Sequence, residues 1–126
     1  MEPVRLDAAR NRIYIRFDGF MDQQRAQQLH DAYRDAIAQA RPGFTVVTYT
    51  EGYRPGGPEV QDIVTRMVRM ADQAGCRKVA RVVGHSPLGA MQINRLAKTE
   101  TSYPSQHFAT EAEAEAYLDQ DQADAV

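Results

Sequence analysis

A strand buried on both faces exists only inside a sheet that helices cover, and Lys78 to Gly84 (KVARVVG) reads as such a strand. Val79, Ala80, Val82 and Val83 fill it without clean alternation. The residues after it, Gly84-His85-Ser86-Pro87, read as a tight turn that opens a helix. Ser86 suits the N-cap and Pro87 the first helical position. Leu88, Met91 and Leu96 then carry that helix towards Lys98. The rest of the chain has to supply neighbours for this strand.

It does so on both sides. Val4-Arg5-Leu6 reads as a short strand, Asp7 to Asn11 as a turn, and Arg12 to Phe17 as a strictly alternating strand. Ile13, Ile15 and Phe17 share one face; Arg12, Tyr14 and Arg16 share the other. That pattern predicts a half-buried strand in an antiparallel hairpin, ended by Asp18-Gly19. Asp22 is placed to cap a helix whose stripe is Ala26, Leu29, Ala32, Tyr33, Ala36, Ile37 and Ala40, and Pro42-Gly43 stops it. Phe44 to Thr50 is β-branched and aromatic throughout, a strand covered on both faces. Glu51 to Gly57 holds three glycines and a proline and reads as a sharply turning loop.

A second helix starts at Pro58, with Glu59 complementing its positive end. Its stripe is Val60, Ile63, Val64, Met67, Ala71 and Ala74, widened by Val68 and Met70, and Gly75 suits its C-terminal cap. After a loop from Thr99 to Pro104, Gln106 to Ala109 reads as an edge strand. Thr110-Glu111-Ala112-Glu113 matches a capping box. The last helix is expected to be short and to dock through Ala116, Tyr117 and Leu118. The order is β-β-α-β-α-β-α-β-α. This is α/β: a mostly parallel mixed sheet with an N-terminal antiparallel hairpin and helices packed on it.

The chain of 126 residues fits one domain, spanning residues 1–118, with residues 119–126 an acidic polar tail expected to fray. A formal net charge of −2 argues against a phosphate-tracking nucleic-acid surface. The single cysteine, Cys76, fits a reducing compartment. No window approaches a membrane span of about 20 apolar residues, and no signal-like run opens the chain, so a cytoplasmic location is expected.

The element order resembles the SpoIIAA-like branch of the STAS group, whose best-known members are bacterial anti-sigma-factor antagonists. The resemblance covers almost the whole chain. It rests on the hairpin ending in Phe17-Asp18-Gly19-Phe20, the buried strand Val79 to Gly84, and the closing stretch from Phe108 to Leu118 (FATEAEAEAYL). It implies a non-catalytic, regulatory or scaffolding module that binds a partner protein. In the antagonists a phosphorylatable serine follows the middle strand in an Asp-x-Ser-Gly turn. Thr50 to Pro58 contains no serine, and Thr48 and Thr50 belong to the strand, so that switch does not carry over. Relatives of this architecture that resemble lipid carriers supply the alternative: a small apolar or anionic ligand.

Two loops lie at the carboxyl ends of strands, where ligands of parallel sheets gather. Glu51, Tyr53 and Arg54 of one, and Gly84, His85 and Ser86 of the other, are the candidate binding residues. The turn Gly84-His85-Ser86-Pro87-Leu88-Gly89 has the strand-turn-helix context of a nucleophile elbow. Leu88 stands where the elbow requires glycine, and Pro87 lacks the N–H that an oxyanion hole would use. A Ser86/His85 hydrolase is therefore the weaker reading, and no catalytic residue is assigned. His30, His85 and His107 lack metal-ligand spacing, and no cofactor is indicated. Arg66, Val68, Arg69 and Met70 on the second helix form a mixed patch suited to a protein partner, including a second copy of the chain.

Overall fold

In the computed structural model residues 3–84 and 103–124 are described, with side chains through residue 120. The elements are β1 (Val4–Asp7), β2 (Arg12–Arg16), β3 (Gly19–Phe20), α1 (Gln23–Gln39), β4 (Thr45–Tyr49), β5 (Tyr53–Arg54), α2 (Pro58–Gln73), β6 (Lys78–Val82), β7 (Ser105–Phe108) and α3 (Glu111–Asp124). The helix expected around Leu88, Met91 and Leu96 lies outside the described residues.

Five strands form the main sheet in the order β1-β2-β4-β6-β7. β1 runs antiparallel to β2; every other pair in that sheet is parallel. The predicted α/β fold, with its antiparallel opening hairpin, is what the chain adopts. β6 sits inside the sheet between β4 and β7, as its apolar run requires, and β7 is the edge.

Local signals set the helix boundaries. The Asp22 carboxylate accepts from the Arg25 amide at 2.8 Å and caps α1. Pro58 occupies the first turn of α2. Gly75 leaves α2 at φ +94°, a conformation that L side chains rarely adopt. The Thr110 hydroxyl accepts from the Glu113 amide at 3.3 Å and so caps α3, while the Glu113 carboxylate accepts from the Thr110 hydroxyl at 2.9 Å where a full capping box would use the Thr110 amide.

The two faces of the sheet are covered differently. Ile13, Ile15, Phe17, Val46 and Val79 pack beneath Leu29 and Tyr33 of α1 and Ile63, Val64 and Met67 of α2. Tyr14, Val47, Ala80 and Val82 pack beneath Ala114 and Leu118 of α3. Two expectations are corrected here. β2 is not half-buried: Arg12 and Tyr14, on its polar face, are buried under α3. And α3 docks through Ala114 and Leu118, while Ala116 faces solvent.

α3 also docks through charge. Arg12 is 0% exposed. Its guanidinium donates to Thr45 Oγ1 at 2.9 Å, Glu115 at 2.7 Å and Asp119 at 2.9 Å. The Tyr14 hydroxyl donates to Glu115, Arg10 reaches the same carboxylate, and the Tyr49 hydroxyl donates to Glu111. Glu111, Glu115 and Asp119 stand four residues apart, on one side of the helix. Lys78, buried on the same sheet face, lies 3.7 Å from the Tyr117 ring centroid and donates to the Tyr117 carbonyl at 3.1 Å.

Candidate functional site

The loops after β4 and β6 meet because their strands pair. The Thr50 amide donates to the Val82 carbonyl at 3.0 Å, carrying the ladder one step past β4. The Tyr53 amide then donates to the Thr50 carbonyl at 3.1 Å and closes a turn. Beyond it β5 pairs with β3 in a small parallel sheet of its own, with Gly19 opposite Tyr53 and Phe20 opposite Arg54. The stretch read as loop from Glu51 to Gly57 thus contains a strand, and the chain after Asp18-Gly19 supplies its partner. Neither run is long enough to show periodicity in sequence.

Close approach to backbone calls for glycine at position 56, and a positive φ calls for it at position 84. A Cβ on Gly56 would run into the Met21 carbonyl and the Val60 side chain. Gly84 has φ +60°, and a Cβ there would strike the Glu51 carboxylate. Glu51 therefore lies across Gly84, and the predicted neighbourhood of the two loops is real.

The candidate residues fall into three groups. Glu51 and Arg54 are exposed. Tyr53 is not a surface residue: its ring packs on Phe17 with centroids 5.2 Å apart, and burial pushes its pKa up to about 12. His85 and Ser86 lie outside the described residues. Sequence reasoning missed Phe20. It is 55% exposed and stands in register beside Arg54. Arg25 braces the strand that carries it, donating to the Phe20 carbonyl at 3.0 Å and the Asp18 carbonyl at 3.1 Å. The available signal was an aromatic directly after the Asp18-Gly19 break, where no helix or strand stripe claims it.

The patch predicted on α2 divides. Arg66 and Arg69 are exposed, whereas Val68 is buried and Met70 packs half-buried against the core. The flanking apolar residues widen the face that α2 turns inward and leave no apolar outer surface there. Cys76 is likewise a buried thiol, donating to the Lys78 carbonyl; burial pushes its pKa up to about 12 despite the adjacent Arg77.

Thr48 and Thr50 are both buried. No protein-family model matches the sequence, and no curated protein does. A solved structure does: that of the anti-sigma factor antagonist SpoIIAA in its unphosphorylated form, with TM-score 0.62 over 93% of this chain and 96% of that one. The chain has the SpoIIAA fold. Sequence identity is 16%, so the likeness is one of architecture. The loop between β4 and α2 contains no serine and carries glycines and Arg54. Among the described residues no helix is long and apolar enough to cross a membrane, and no three His, Cys, Asp or Glu side chains group as metal ligands.

Proposed function

We propose that the chain is a non-catalytic protein-binding module of regulatory type, engaging its partner through the small sheet of β3 and β5. The observation that carries this reading is Phe20, an aromatic left more than half exposed on a braced strand beside Arg54. Aromatic and arginine side chains at a rigid site are the usual anchors of protein interfaces. The shared architecture with an anti-sigma factor antagonist supports the class of activity. Glu51 and Arg54 provide charges of both signs at the rim, and Arg66 and Arg69 lie on α2 beyond it.

A photo-crosslinking residue in place of Phe20 tests this in living cells. A discrete crosslinked protein is expected, and Phe20→Ser should weaken the purified pair at least tenfold. Light scattering tells a second copy of this chain from a different partner. No crosslinked species above background, together with a monomer in solution, would sink the reading.

The carrier alternative at the strand ends has less behind it. Tyr53 turns into the core and Glu51 covers Gly84, so the described part of that region is filled by the chain's own side chains. The hydrolase alternative keeps a simple test: any esterase activity that survives Ser86→Ala does not belong to that serine.

A further inference from the structure

Two arginines are buried in the main sheet, one on each face, and they are treated in opposite ways. Arg12 has a hydrogen-bond partner at each guanidinium nitrogen. Arg81, in the middle of β6, is 1% exposed, and its Nε and Nη1 have no hydrogen-bond partner among the described residues. No carboxylate pairs with it there. An ionised group buried without a counter-charge is strongly unfavourable, and arginine does not escape by losing its proton.

Among the described residues its surroundings supply no charge either. The described titratable groups that act on Arg81 are Tyr33, Cys76 and Tyr103. Burial pushes the Tyr33 hydroxyl well above its ordinary value and the Cys76 thiol up to about 12, so both are neutral near pH 7. Arg81 instead forms part of the wall of a cavity that Ile15, Phe17, Thr48, Met67 and Val68 also line. About 30 Å³ of it is open to the centre of a water-sized sphere. That is room for about two waters, on the scale of roughly 10–15 Å³ for one.

We propose that this cavity is an anion site, with Arg81 as its anchor and a small monocarboxylate, of formate or acetate size, as its ligand. The carboxylate oxygens accept from the unfilled guanidinium donors, and a single negative charge balances the single positive one. The apolar wall takes the hydrogen or methyl end. A phosphate or sulfate brings more oxygens and more charge than one arginine in a space this small can satisfy. This site lies under α2 and is independent of the partner-binding surface around Phe20.

The test is thermal unfolding of the full chain at constant ionic strength, with sodium formate, acetate, chloride or phosphate added. Formate and acetate should raise Tm by several degrees, with the concentration dependence of ligand binding to the folded state. Arg81→Met, which fills the space with an apolar side chain, should abolish that rise. A measurement on the unaltered protein stands beside it. The Nε–H resonance of Arg81, recognised by its loss in Arg81→Met, should shift saturably with formate. A flat Tm and an unmoved resonance overturn the proposal. So does an equal response to chloride, or a carboxylate response that persists in Arg81→Met.

Discussion

The guanidinium of Arg12, fully enclosed, meets the Glu115 carboxylate at 2.7 Å, joining the second strand to the last helix across 103 residues of chain. Glu115 keeps partial access to water, with 22% of its side chain exposed, whereas Arg12 has none. The two ends of the pair therefore differ in what their loss should do. Removing a partner from a buried ion pair strands the other charge at a cost of about 3–5 kcal/mol, while an apolar replacement of similar volume is often neutral. Glu115→Ala should cost roughly 3 kcal/mol, at the low end because Asp119 still holds Arg12. Arg12→Met should cost about 1 kcal/mol or less, since Glu115 can turn to solvent. Urea unfolding of the two variants measures this directly; equal losses would contradict it.

Glu51 and Gly84 offer a second coupled pair. An alanine at Gly84 must hold a left-handed conformation, worth about 1–2 kcal/mol, and also displace the Glu51 side chain. Gly84→Ala is expected to lose about 2–3 kcal/mol and Glu51→Ala to change stability by less than about 0.5 kcal/mol. The double variant should recover the steric part alone and remain about 1–2 kcal/mol below the parent. Strict additivity in the cycle would mean that Glu51 does not lie across Gly84.

Alkaline pH should unfold the protein through its buried weak acids. Cys76 and Tyr53 are each pushed up to about 12 in the folded state. Unfolded, they titrate near about 8.5 and 10. A group whose folded pKa is raised favours folding while it stays protonated. That contribution is complete below the unfolded value and is lost as pH climbs to the folded one. Stability should thus hold from pH 7 to about 8.5 and fall above it, by up to about 1.4 kcal/mol per pH unit for each group. Cys76→Ala should flatten the fall between about pH 8.5 and 10, before tyrosine titrates. Denaturant unfolding across this range gives the slopes. Stability that rises with pH there would reverse the assigned sign.

Phe20→Ala should leave folding intact. The side chain is more than half exposed, and the strand that bears it is held by backbone bonds from Gly19 to Gly52 and from Met21 to Arg54. A change of about 0.5 kcal/mol or less is expected, as for surface substitutions generally. Its effect should appear in partner binding. A large loss of stability would assign Phe20 a structural role and remove the main support for the binding surface.

Much of this fold is legible in the residues because its signals are local. The stripe from Ala26 to Ala36, the Asp22 cap, Pro58 and Gly75 fix α1 and α2 within a few residues. The apolar runs at Phe44 and Val79 predict strands that need cover on both faces. The candidate site is less legible. β3 and β5 are two residues each and exist through pairing between segments more than thirty residues apart. Tyr53 reads as a loop residue and is an interior one because that pairing turns its ring onto Phe17. Val68 reads as a flank and becomes core once α2 is laid on the sheet.

By itself, then, the sequence determined the strands of the main sheet, the first two helices and their caps, since periodicity and turn chemistry act over a few residues. Only the tertiary structure decided what each buried charge meets. Arg12 opens β2 and Arg81 stands inside β6, and nothing adjacent in the chain says what either guanidinium meets. Arg12 lies beneath α3, which brings Glu115 and Asp119; Arg81 lies on the opposite face, beneath α2, which turns apolar side chains towards it. Burial and counter-charge are properties of what arrives from far along the chain, which is why one arginine is a structural tie and the other meets no carboxylate among the described residues.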